Sequence, residues 1–118
     1  MLNKELKERI INHDHISEEE LKIFINYIID KSNSVSNYMK NIETYTQINL
    51  CNEIFWAHNL DSNIYNIKDN YYCIFTINNK NYLLDLNFTS SKIPQLKENK
   101  FIELNKDIYK EYQEIIGG

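Results

Sequence analysis

Residues 70–88 read NYYCIFTINNKNYLLDLNF, and their reading decides the fold. Residues 71–77 are rich in aromatic and β-branched side chains, and residues 82–88 partly so, which marks two strands. Between them lies an Asn-rich step at Asn78, Asn79 and Asn81. Asn tolerates the positive φ that a tight hairpin turn demands. A loop of Asn79-Lys80, or of all four residues 78–81, sets Ile77 opposite Tyr82, with Phe75 facing Leu84, Cys73 facing Leu86 and Tyr71 facing Phe88. These eight form one apolar face. Tyr72, Ile74, Thr76, Leu83, Asp85 and Asn87 form the other, because side chains alternate across a sheet. Asp85 stands out in Leu-Leu-Asp-Leu, since an unpaired buried carboxylate is costly. Two readings are open: a residue facing solvent on a half-exposed sheet, or the orienting carboxylate of a site.

The rest of the chain supplies helices. Residues 2–12 set Leu2, Leu6 and Ile10 on one face. A capping box at Ser17 and Glu20 starts a second helix, with Ile16 stapled onto Leu21. Its stripe is Leu21, Phe24, Ile25, Ile28 and Ile29, and it is expected to end near Lys31. A third pattern runs through Val35, Tyr38, Met39, Ile42 and Tyr45. Poor helix formers at residues 44–49 suggest a break, with Asn49 capping a fourth helix to Asn59; one continuous helix over residues 36–59 is the alternative. Residues 64–67 and 101–104 read as short strands, residues 89–100 as loop, and Asn105 as the cap of a last helix. The expectation is a single α+β domain over residues 1–118: N-terminal helices, a small antiparallel sheet built on the hairpin at about 71–88, and a C-terminal helix.

Composition narrows the function. The net charge is −4, with 17 acidic against 13 basic residues. No basic footprint for nucleic acid is visible. No run approaches a membrane span and no signal-type segment opens the sequence, so a cytoplasmic protein is expected. Two Cys are too few for a disulfide framework. His13-Asp14-His15 has no further ligands nearby, so no metal and no cofactor are expected. An acidic chain with nine Tyr suits docking on a basic protein partner.

One constellation points to chemistry. A helix starting at Asn49 would put Cys51 in its first turn, where the dipole and free N–H groups favour a thiolate. The run Asn70-Tyr71-Tyr72-Cys73-Ile74-Phe75, followed by Asn81-Tyr82-Leu83-Leu84-Asp85-Leu86, resembles the hairpin of small papain-like Cys-His-Asp domains. These occur as proteases and glutamine deamidases among bacterial toxins and effectors. The resemblance implies Cys51 as nucleophile and Asp85 as orienting acid. The family's His position is held by Tyr71 or Tyr72, and Tyr is a poor base at neutral pH. His58, two helical turns beyond Cys51, lies too far along the axis to replace it.

The expected function is therefore a non-catalytic protein-binding module, a degenerate papain-like domain that docks through Tyr71, Tyr72 and Asp85. An inhibitor or immunity-type role fits, such as a phage-encoded antagonist of a bacterial defence protein. The alternatives are an active cysteine protease or deamidase using Cys51, and a structural subunit of a homo- or hetero-oligomer paired through an open sheet edge.

Overall fold

The structure, a computed structural model, describes residues 1–38, 44–67, 70–87, 89, 91 and 93–105. Helices α1 (Lys4–Ile11), α2 (Glu18–Tyr38) and α3 (Thr44–Ala57) come first. Strands β1 (Ser62–Ile67), β2 (Asn70–Ile77) and β3 (Lys80–Leu84) follow, then helix α4 (Pro94–Asn99) and strand β4 (Phe101–Glu103). All pairings are antiparallel and the strand order is β1-β2-β3-β4. The α+β class is as expected. The proposed C-terminal helix falls on residues 106–118, outside the described residues.

The hairpin turns on Asn78 and Asn79, with φ of 54° and 60°. Two adjacent left-handed residues define the turn whose twist matches paired strands. Phe75 therefore faces Tyr82 and Cys73 faces Leu84, a shift of two residues from the expected register. A shift of two preserves side-chain parity, so the expected face assignment holds. Cys73, Phe75, Ile77, Tyr82 and Leu84 are buried in the main core. Against them pack Phe24, Ile25 and Ile28 of α2 and Ile48, Cys51 and Phe55 of α3. The rings of Phe55, Phe75 and Tyr82 stack in series, at centroid distances of 4.4 and 5.4 Å.

The other face of the sheet is covered as well. Tyr72 and Leu83 are buried there with Ile93, Leu96 and Ile102, forming a second, smaller core. Its lid is α4, in a stretch expected to be loop. Pro94 takes the first helical turn, where its missing N–H costs nothing, and Lys100 closes the helix in the left-handed conformation at φ 69°.

Two helix boundaries differ from expectation. Helix α2 continues through Ser32 and Ser34, because their hydroxyls donate back to the carbonyls of Ile29 (2.8 Å) and Asp30 (3.0 Å). Back-bonding of this kind satisfies Ser inside a helix. Helix α3 is unbroken through Asn49. Burial of Ile48, Cys51 and Phe55 along one face overrides the weak propensity of residues 44–49. The capping box forms as expected: the Glu20 amide donates to Ser17 Oγ (3.1 Å) and the Ser17 amide to Glu20 Oε1 (2.8 Å). Glu20 also accepts two hydrogen bonds from the Arg9 guanidinium, at 2.6 and 2.8 Å, tying α1 to α2.

Candidate functional site

The residues singled out from the sequence do not converge. Cys51 lies in the middle of α3 rather than in its first turn, and it is fully buried. A helix dipole acts within the terminal turns, so it gives this thiol no help. Burial pushes the thiol up to about 11, with a Ser32 hydrogen bond opposing in part. Cys73 is pushed up to about 12, first by burial and then by Cys51 beside it. Both are protonated, small apolar fillers at neutral pH.

Asp85 is buried at 5% exposure, not solvent-facing. It follows β3, and its neighbours Leu84 and Leu86 both pack into the main core. Strand alternation therefore directs the carboxylate to the face opposite Cys51. Its hydrogen-bond donor is the Asn87 amide at 2.8 Å, in a local turn. Burial raises its carboxyl above the ordinary value, and the Asn87 bond opposes the shift. Tyr72 is buried at 4%, so of the three expected docking residues Tyr71 alone retains surface. His58 is also buried: Nδ1 bonds the Ile54 carbonyl at 2.8 Å, while Nε2 has no partner among the described residues. Its ring packs edge-on against Phe24 and Tyr27. No metal-binding cluster occurs among the described residues.

A different surface emerges where α3 lies along β1 and β2. Asn52 and Trp56, one helical turn apart, both hold Ser62, the first residue of β1. The Ser62 hydroxyl donates to Asn52 Oδ1 at 2.5 Å, and the Trp56 indole N–H donates to the Ser62 carbonyl at 3.0 Å. The Cys73 thiol reaches the same Asn52 oxygen at 3.7 Å, so one buried amide joins α3, β1 and β2. At the other end of α3 the Tyr45 ring meets Tyr71 edge to face, 5.0 Å between centroids. Helix α3 is thus pinned to the sheet at both ends.

Pinning leaves large apolar rings in solvent. On α3, Tyr45 and Trp56 are 46% and 55% exposed, while Tyr65, 46% exposed, pairs with Tyr72 and so stands on the opposite face of the sheet. Between Thr44 and Ile67 the charged side chains are Glu53 and Asp61, with no Lys or Arg. Aromatic enrichment with charge depletion is the composition of a contact surface. Its signal in the sequence is a charge-poor window spanning a helix and a strand, with no motif to mark it.

A second concavity, about 470 Å³, lies between the start of α2, the hairpin turn, α4 and β4. Its wall carries Glu18, Tyr82 and the Lys80–Glu103 ion pair at 3.3 Å. Ile16, Leu21, Phe101 and Ile102 also line it, and neither cysteine does. No helix among the described residues is long and apolar enough to cross a membrane. No family model, no curated protein and no solved structure matches the chain.

Proposed function

We propose that the chain is a non-catalytic protein-binding module of inhibitor or immunity type that docks through the α3–β1 face. The observation that carries this reading is the exposure of Tyr45 and Trp56 on α3, in a window with no Lys or Arg. Tyr45 is braced by Tyr71 and Trp56 by Ser62, so little side-chain entropy is lost on contact. Glu53 and Asp61 flank the aromatic rings, and the chain is acidic overall. The matching partner is a protein surface with an apolar centre and a rim of Lys and Arg. The cysteine-enzyme alternative draws no support from a thiol that is buried mid-helix on the other face of the sheet from Asp85.

The test is affinity capture with three baits: wild type, Trp56→Lys, and Lys7→Glu on α1. A protein retained by wild type and Lys7→Glu but lost with Trp56→Lys supports the reading. A protein held equally by all three, or none at all, removes this face as the docking surface.

A further inference from the structure

The outer edge of β1 presents a hydrogen-bonding pattern that is not used within the described residues. The Thr76 amide donates to the Asp61 carbonyl at 3.0 Å, which fixes the phase of the β1–β2 ladder. In an antiparallel pair, hydrogen-bonded and non-hydrogen-bonded positions alternate. With the observed register, Asn63 and Tyr65 therefore bond to Ile74 and Tyr72. The N–H and C=O groups of Ser62, Ile64 and Asn66 point away from the sheet. Trp56 already closes the Ser62 carbonyl. What remains, beside the Ser62 N–H, is two donors and two acceptors on Ile64 and Asn66, spaced as an extended strand requires.

We propose that this edge pairs, antiparallel, with β1 of a second copy of the chain, about a two-fold axis through Tyr65. The inference goes beyond docking on a foreign partner. Ile64 and Asn66 sit symmetrically about Tyr65, so each meets the other's counterpart and all four backbone groups are matched at once. That is the self-complementarity a two-fold contact needs. Sheet edges meant to stay single carry charge, proline or a bulge. Strand β1, SNIYNI, carries none of these. The opposite edge is guarded in contrast: β4 has three residues, and its Glu103 is ion-paired to Lys80. Two copies of net charge −4 repel each other overall, and β1 is an edge strand to which neither brings a charge.

The geometry has consequences. Tyr65 faces its own counterpart at a non-hydrogen-bonded site, where side chains are closest and aromatic pairs are favourable. The axis stands perpendicular to the sheet, so the two α3 helices lie on the same side. Tyr45 and Trp56 of both copies lie on that side, and the two Tyr65 rings meet on the other.

Sedimentation velocity from micromolar to millimolar concentration, combined with cysteine cross-linking, tests the pairing. The wild type shifts from monomer to dimer with concentration. Tyr65→Lys sets like charges face to face and raises the dissociation midpoint at least about ten-fold. Mixing Tyr65→Lys with Tyr65→Glu restores association, which also shows that both variants are folded. Oxidised Tyr65→Cys runs as a covalent dimer on a non-reducing gel. Asn63→Cys does not, because residue 63 sits four positions, about 13 Å, from its counterpart. A wild type that stays monomeric throughout, a dimer indifferent to charge at residue 65, or equal cross-linking at residues 63 and 65 overturns the proposal.

Discussion

The indole N–H of Trp56 donates to the carbonyl of Ser62 at 3.0 Å, so the one Trp of the chain caps the first residue of the edge strand. That bond ties a half-exposed ring to the sheet edge and shortens the free edge by one acceptor. Trp56→Phe keeps an apolar ring, releases the carbonyl and costs about 1 kcal/mol or less, since water can replace the donor at an exposed site. Freed of its cap, the edge gains an acceptor and self-association strengthens. Chemical denaturation and sedimentation read the two effects. A variant that loses more than about 3 kcal/mol, or that associates more weakly, contradicts this role.

The hairpin turn is fastened to the start of α2 by a single side chain. Asn78 Oδ1 accepts from the Ile16 amide at 3.0 Å, and Asn78 Nδ2 donates to the Ile16 carbonyl at 2.9 Å. Ile16 is 1% exposed, so both backbone groups lose their partner if the amide is removed. Asn78→Gly keeps the left-handed backbone and removes the clamp; the expected cost is about 1–3 kcal/mol. Asn79→Gly, at an exposed position with the same backbone, is expected to be neutral or stabilising. Equal effects at the two positions, measured by urea unfolding, would show that backbone conformation alone matters.

The two faces of the hairpin could be read from the sequence, but its turn could not. Period-two alternation assigned Phe75, Tyr82 and Leu84 to the core whether the strands paired as expected or two residues out. The turn depended on which pair of residues took positive φ, and the answer included Asn78 because Ile16 needed its side chain. That contact joins residues 62 positions apart, beyond any local rule. The helix break at Asn49 failed for a similar reason: Gln47 bonds to Ser32 (3.4 Å) and also to Asn33, and these contacts with α2 support α3 where propensity is weak. The Cys51 site disappeared with that break. The second core was invisible because it depends on α4, whose six residues give too short a pattern to read.

Cys51 is expected to be inert. Iodoacetamide labelling of the folded chain at pH 7–8 should be far slower than that of free cysteine, with full labelling on denaturation, because the thiol is buried and protonated. Rapid labelling of Cys51 in the native state would revive the cysteine-enzyme reading.

Acid stability has two opposed contributions. Arg9, with help from the Ser17 amide, holds Glu20 at about 2, below its ordinary 4.5. A depressed carboxylate stabilises the fold above its unfolded value, and that contribution is lost as pH falls from about 4.5 towards 2. Asp85 has the opposite sign. Its raised value means that ionisation disfavours the fold, a penalty absent well below the ordinary 3.8 and present above the folded value. Asp85→Asn keeps an acceptor for the Asn87 amide and removes the buried charge. Its melting temperature is expected to exceed that of wild type at pH 7 and to converge with it in acid. A lower melting temperature at pH 7 would mean that the carboxylate has a favourable partner.

The most direct test of the free β1 edge is amide hydrogen exchange resolved at Ile64, Asn66, Asn63 and Tyr65. The last two amides face β2 and should be protected at every concentration. The Ile64 and Asn66 amides face outward; they should exchange rapidly in dilute protein and become protected as concentration rises through the association midpoint. Exchange at Ile64 and Asn66 that stays fast at all concentrations, or slow at all of them, would contradict the pairing of β1 with a second copy.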